Sequence, residues 1–340
     1  MSQTPAEPRL SATVLIIRDG KTAPQVLMVK RHYQIDFAAG ALVFPGGKAN
    51  EEDSDPAWDA FTDGDFGPVQ QDARIAAVRE AFEESGLLLA RHSGQRGPGA
   101  PLVGPAVSER LAPHRGPVDR REESFLELMR ENDLVLALDS LIHFGHWITP
   151  DMMPKRFDTH FYIAPAPADQ IAAHDGRETT DAVWLGAQEA LDMELAGQAT
   201  IIFPTRMNLV KLARATSVAD AASRFGSEEV VSVQPKAGKD ASGQPCLFIP
   251  EEAGYGQTIE LLSRVNVWLF VSGLGGHALL KGIAHGICHR LRCLAFARAD
   301  KGCPAGLNVQ VYQGGILARM CLAQQRAERS AQPGDGRIPV

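Results

Sequence analysis

Three glutamates stand out for the chemistry their spacing allows: Glu80, Glu83 and Glu84, in the run Arg79-Glu80-Ala81-Phe82-Glu83-Glu84-Ser85-Gly86-Leu87. On a helix that advances 100° per residue, positions i, i+3 and i+4 share one face. Three carboxylates gathered there are hard oxygen donors of the kind that hold a divalent cation. The competing reading is a solvated acidic helix. Arg79 can pair with Glu83 at i, i+4, but Glu80 and Glu84 find only each other at that spacing, and a like-charge pair costs a helix about 0.2–0.5 kcal/mol. A bound cation gives a reason for keeping it. Upstream, Phe44-Pro45-Gly46-Gly47 closes an apolar run with two glycines, whose amides can approach a phosphate or a metal-bound oxygen closely.

The elements that must position these groups follow from periodicity. Ile75, Val78 and Phe82 form a separate apolar stripe, so the acidic helix, starting near Ala73, has a side to dock on a sheet. Gly86 suits the left-handed position past the helix end, and Leu87–Ala90 reads as a strand. Before the helix, Ala12–Ile17 and Gln25–Lys30 form a hairpin about Asp19-Gly20-Lys21-Thr22, and Ala41–Phe44 is a strand. Asp55-Pro56 caps a short helix, and Thr62–Pro68 is rich in turn residues. After it, His92–Pro117 is rich in Gly, Pro and Arg and reads as a surface insertion, followed by a helix over Glu122–Arg130. Leu134–Ile148 holds one or two strands. Phe157–Ile163 alternates, with Phe157, Thr159, Phe161 and Ile163 on one face. Ala182–Leu185 leads into helices at Ala187–Leu195 and Thr205–Ala215, and Val230–Val233 and Cys246–Ile249 are late strands.

Composition narrows the partners. A hydrophobic fraction of 44% over 340 residues supplies a proper core, and a formal charge of −7 argues against a nucleic-acid-binding role. The charge is uneven: residues 257–340 carry ten Lys/Arg against four Asp/Glu, the remaining residues 24 against 37. Four of the five cysteines, Cys288, Cys293, Cys303 and Cys321, lie in that same C-terminal quarter. An odd, uneven set implies a reducing compartment without a disulfide framework, and with no targeting signal the expected location is the cytoplasm. The longest stretch free of formal charge in the tail, Val265–Leu280, is short for a membrane span. Gly273-x-Gly275-x-x-Ala278 outlines a dinucleotide turn without its acidic partner, and His285, Cys288, His289, Cys293 and Cys303 lack familiar zinc spacings. The quarter is left unassigned.

Taken together, Gly46-Gly47, an acidic residue six positions on, and Arg79-Glu80-x-x-Glu83-Glu84-x-Gly86-Leu87 resemble the Nudix box. Ala81 and Leu87 fill its two apolar positions. Counting from Gly47, the acid of the first half is Asp53; counting from Gly46, it is Glu52. Both stay open. Twenty-five residues separate Asp53 from Arg79 where the box normally has seven, an insertion that adds only about 0.6 kcal/mol per doubling of loop length. The interrupted box looks like that of the Nudix hydrolase branch containing the peroxisomal coenzyme A diphosphatases. Arg31…Phe37…Gly40 before Phe44, His146-Trp147-Ile148-Thr149-Pro150, Arg156-Phe157-Asp158-Thr159 and His174-Asp175-Gly176-x-Glu178…Trp184-Leu185 share in the likeness.

The resemblance implies an α+β fold, an α/β/α sandwich around a mixed sheet, over residues 10–256. Residues 1–9 form an arm, 54–72 and 91–133 are insertions, and 257–340 is an extension of unknown fold. It implies a catalytic Mg²⁺ or Mn²⁺ held by Glu80, Glu83 and Glu84, with Glu80 or Glu84 orienting or deprotonating the attacking water. Gly46 and Gly47 would contact substrate, and Arg31 and Arg156 are candidate phosphate contacts. Glu178 is either an extra base or metal contact or a solvated loop residue. Arg79, one helical step from Glu80 and facing away from it, would tie the helix to Asp53 or Glu52. The implied reaction is hydrolysis of a nucleoside diphosphate linked to another group: coenzyme A or acyl-coenzyme A, giving 3′,5′-ADP and (acyl-)phosphopantetheine. NADH, ADP-ribose or nucleotide sugars are alternative substrates, and a non-catalytic nucleotide-binding regulator is a further reading. Arg110, Arg115, Arg120 and Arg121, with Phe125, Leu126 and Met129, would give residues 91–133 a cationic pocket and apolar groove for coenzyme A. The partner is a small nucleotide, with no nucleic acid and no membrane, and the oligomeric state is open.

Overall fold

A computed structural model describes residues 5–31, 40–175 and 179–265, the side chains of Arg31 and Thr180 excepted. These residues lie in one compact unit, Met1–Gly276. Among the sequence-based expectations, Glu178, the Arg31 side chain, and the glycine, histidine and cysteine pattern after residue 265 lie outside the described residues.

The chain opens with β1 (Arg9–Arg18), β2 (Gln25–Arg31), β3 (Leu42–Val43) and β4 (Gly46–Lys48). The acidic helix α1 runs from Pro68 to Ser85 and so starts earlier than Ala73. Gly67 is extended and Pro68 takes the first helical position, where its missing N–H is no loss. Residues 86–141 then hold β5 (Ala90–His92), α2 (Pro105–Leu111), α3 (Arg115–Asp119), α4 (Phe125–Glu131) and β6 (Leu134–Leu136). The expected strand over 87–90 begins only at Ala90. Next come β7 (Ile142–Ile148), β8 (Phe157–Pro165), β9 (Thr179–Gly186), α5 (Ala187–Leu195), α6 (Phe203–Leu212) and α7 (Val218–Gly226). The last strands are β10 (Ser232–Val233), β11 (Lys236–Lys239), β12 (Pro245–Phe248) and β13 (Ile259–Leu261).

Eight strands form one mixed sheet in the order β10-β7-β8-β1-β2-β3, with β4 also on β1 and β9 also on β2. β1 is parallel to β8 and antiparallel to β2 and β4. Alternate residues of β1 serve opposite faces: Ala12, Val14 and Ile16 meet α1, whereas Leu15 and Ile17 join α5, α6 and α7 on the reverse. This is the α/β/α sandwich expected from the sequence. Beyond residue 256, β13 pairs with β12, and its Glu260 reaches Arg206 at 2.9 Å, so the packed unit continues past that position.

The stretch 92–117 is exposed over most of its length but is anchored in the core at Val103 and Leu111. Val103, Leu111 and Val118 are buried, and Phe125 and Met129 pack with Phe82 and Trp58 over α1. The apolar groove expected from Phe125, Leu126 and Met129 is therefore core.

Candidate active site

The site is built where α1 crosses β4. Gly47 lies so close to Glu80 that an added Cβ would sit 2.3 Å from its Oε1, and the Gly46 amide donates to Glu84 Oε2 at 3.0 Å. The two glycines thus fit strand to helix and fix two of the three glutamates. At the far end Gly86, at φ 74°, donates its amide to the Phe82 carbonyl at 2.9 Å and stops the helix.

Arg79 organises the acidic cluster. Its Nε and Nη2 hold the two oxygens of Asp53, each at 2.9 Å, and Nη2 also donates to the Lys48 carbonyl at 2.9 Å. Nη1 reaches both Glu83 oxygens at 3.0 Å. The register is settled for Asp53: Glu52 instead accepts the Phe125 amide at 3.0 Å. One geometric expectation is corrected. Arg79 does not turn from Glu80, because the long guanidinium arm swings back to its Oε1 at 3.0 Å. Burial pulls the Arg79 pKa down, but the charges of Glu80, Asp53 and Glu83 outweigh it and hold the group well above its ordinary value.

Among the described residues the Arg79 guanidinium meets three carboxylates, Asp53, Glu80 and Glu83, with Glu84 close by, so these carboxylates outnumber that one guanidinium. Glu83 registers the imbalance: burial first, then the Glu80 charge, push its carboxyl up to about 8 against the pull of Arg79. A convergent set of carboxylate oxygen donors fits a hard divalent cation, and Glu80, Glu83 and Glu84 are the residues that would hold it.

Two expected contacts are spent on structure. Arg156 is buried, donates to the carbonyls of Thr149 and Ala6 at 3.0 and 2.8 Å and pairs with Asp151 at 2.7 Å, clamping β8 to β7 and the chain start rather than meeting a phosphate. Arg115 donates to the Phe82, Glu83 and Ala173 carbonyls at 2.8–3.1 Å, so it closes the C-terminus of α1 and does not line a cationic pocket. Arg120 is tied to Glu122. Nothing local in the sequence marks Arg115 as a cap some thirty residues from the helix it serves.

Among the described residues, His146, Asp158 and His160 place ligand atoms within 4.8 Å of one another. The hydrogen-bond network assigns their protons. Gln70 Oε1 accepts from Tyr162 and Arg74, so its Nε2 donates to His160 Nδ1 at 3.1 Å. His160 then carries its proton on Nε2, 3.9 Å from Asp158, and His146, bonded to Ser232 at 2.6 Å, also meets Asp158. The two rings stack at 4.1 Å and 6°, so their in-plane lone pairs run parallel and do not converge on one ion. This is a hydrogen-bonded network on the sheet, with His146 satisfied and half-buried as expected.

The family described as the NUDT19 Nudix domain matches residues 59–212. Acyl-coenzyme A diphosphatase NUDT19 of Xenopus laevis is 26% identical over 205 residues, covering 49% of this chain and 54% of its own. The human protein of that name is 26% identical over 236 residues, covering 58% and 62%, and putative nudix hydrolase 7 of Caenorhabditis elegans is 27% identical over 199 residues, covering 58% and 59%. The chain spans 54% to 62% of the length of these relatives. A crystal structure of a NUDIX hydrolase from Alicyclobacillus acidocaldarius aligns with a TM-score of 0.55 at 25% identity, over 64% of this chain and 96% of that one. Among the described residues no helix is long and apolar enough to cross a membrane. The interrupted box, the sheet with helices on both faces and these likenesses support a Nudix hydrolase resembling the coenzyme A diphosphatase branch.

Proposed function

We propose that this chain is a divalent-metal-dependent diphosphatase that cleaves coenzyme A or acyl-coenzyme A to 3′,5′-ADP and (acyl-)phosphopantetheine. The observation that carries this reading is the convergence of Asp53, Glu80 and Glu83 on Arg79, with Glu80 and Glu84 pinned against the glycines of β4. When bound, Mg²⁺ or Mn²⁺ supplies charge neutralisation at the diphosphate and a more acidic water. Glu80 and Glu84 are the two bases available to take a proton from that water or orient it. Glu84 Oε2 accepts the Gly46 amide at 3.0 Å, which holds its carboxylate beside β4. Arg79 holds Glu80 and Glu83 against Asp53, so the donors are in position before substrate arrives. The names of the acyl-coenzyme A diphosphatase relatives support the choice of substrate.

The test is product analysis with Mg²⁺ or Mn²⁺ and a panel of coenzyme A, acyl-coenzyme A, NADH, ADP-ribose and nucleotide sugars. Release of 3′,5′-ADP with phosphopantetheine supports the reading. Turnover confined to the other compounds replaces the substrate and keeps the chemistry; tight binding without turnover of any compound removes the enzyme claim.

A further inference from the structure

The N-terminal half of α1 carries a cation that the glutamate cluster does not use. Arg74 is 6% exposed and lies between the rings of Phe66 and Tyr162, whose centroids are 4.1 and 4.5 Å from its Cζ. Its Nη1 donates to Gln70 Oε1 at 3.2 Å, while its buried Nε has no acceptor. No carboxylate among the described residues forms an ion pair with it. Other buried arginines are treated differently: Arg79 has Asp53 and Glu83, and Arg91 has Asp63 at 2.8 Å and Asp139 at 2.5 Å. A guanidinium taken from water is ordinarily paired, and an aromatic sandwich compensates only in part.

Arg74 also lines an open pocket of about 390 Å³, with Leu141, His143, Phe225 and Val230 among its walls. The wall residue Glu228 is paired with Lys211 at 2.9 Å. His143 is turned to His160, ring nitrogen to ring nitrogen at 3.1 Å, and burial first, then His160 and Arg74, push its pKa down to about 3, so it stays neutral. The pocket therefore meets one permanent positive charge that lacks an acidic partner. Six residues separate Arg74 from Glu80, about 9 Å of helix and about 120° in direction, so this is not the glutamate face.

We propose that this pocket is a subsite for a phosphate-type oxyanion, bound through the Arg74 guanidinium, either free phosphate or the phosphomonoester of a larger molecule. The planar fork of an arginine suits such oxygens, and a volume of about 390 Å³ leaves room for an organic remainder.

Thermal unfolding in EDTA tests it without activity. Inorganic phosphate and 3′,5′-ADP are titrated separately against sodium chloride of matched ionic strength, with wild type, Arg74→Met and Val230→Trp. Met keeps most of the volume without charge; Trp narrows the pocket from a half-buried position without touching Arg74. A midpoint that rises with phosphate in wild type, and is flat in Arg74→Met, supports the subsite. Should Arg74→Met fail to fold, the flat response is required of Val230→Trp. A stronger response to 3′,5′-ADP than to phosphate identifies a monoester as the preferred source, and an equal response identifies free phosphate. A wild type that does not respond to either, or a response unchanged in the folded variants, overturns the proposal.

Discussion

Replacing Arg79 with Gln removes a guanidinium shared by Asp53, Glu80 and Glu83, and the structure sets the size of the loss. The side chains of Asp53, Arg79 and Glu83 are 0%, 5% and 6% exposed, so water cannot take over the vacated contacts. Six hydrogen bonds of 2.9–3.0 Å disappear, two to Asp53, two to Glu83, one to Glu80 and one to the Lys48 carbonyl. Removing one partner from a buried ion pair costs about 3–5 kcal/mol, because the remaining charge stays buried. Against a total stability of about 5–15 kcal/mol this is a large share. With a urea slope of about 1–3 kcal/mol/M, the midpoint falls by about 1–5 M. Arg79→Lys keeps the charge, loses the fork and falls between wild type and Gln. The assay is urea unfolding of wild type, Arg79→Gln, Asp53→Asn and the double variant without added metal. The double variant should be much less destabilised than the sum of the singles, since each single strands the other's charge. A Gln variant destabilised by less than about 1 kcal/mol, or additive singles, would refute the buried-network argument.

Gly47→Ala keeps the fold but drives Glu80 from its place, since the new Cβ overlaps its carboxylate; turnover falls by about 10²-fold with an unchanged circular dichroism spectrum. Arg115→Ala leaves the last carbonyls of α1 without their cationic donor and lowers stability by about 1–3 kcal/mol, read from urea midpoints. Acid sensitivity comes from the histidines on β7 and β8. His143 and His160 are held at about 3 and about 4, burial first, against an ordinary 6.5. Between those values the unfolded chain binds more protons, so their stability contribution is full above about pH 6.5 and is lost as pH falls toward 3. Urea midpoints taken between pH 7 and 4 should fall, and the fall should be shallower in His143→Phe; an identical slope in that variant counts against the assignment.

Legibility in the sequence followed contact range. The acidic face of α1 was readable because Glu80, Glu83 and Glu84 are placed by local helical geometry, and the alternation of 157–163 likewise put Phe161 and Ile163 on one face, the reverse of the sheet. The glycine stop at Gly86 is equally local. The partner of Arg79 was not readable, because Asp53 and Glu52 differ by one residue in chain position and only the packing across the 25-residue spacer distinguishes them. At 92–117 the Gly, Pro and Arg content matched a stretch exposed over most of its length but gave no sign of its anchors, the buried Val103 and Leu111 and the Arg115 cap. Arg156 read as a phosphate contact for a similar reason, since sequence cannot tell an arginine facing a ligand from one whose guanidinium is used by Thr149, Ala6 and Asp151. Arg74, which has no carboxylate partner among the described residues, stands in a helix whose other charges have an evident pattern, and its isolation appears only in three dimensions.

The most direct test of the glutamate cluster is turnover of coenzyme A with Mg²⁺ by wild type beside Glu84→Gln, with the products identified chromatographically and folding checked by circular dichroism. The account predicts 3′,5′-ADP and phosphopantetheine from wild type and a rate about 10²–10⁴-fold lower from the folded variant. Undiminished turnover by Glu84→Gln would contradict it.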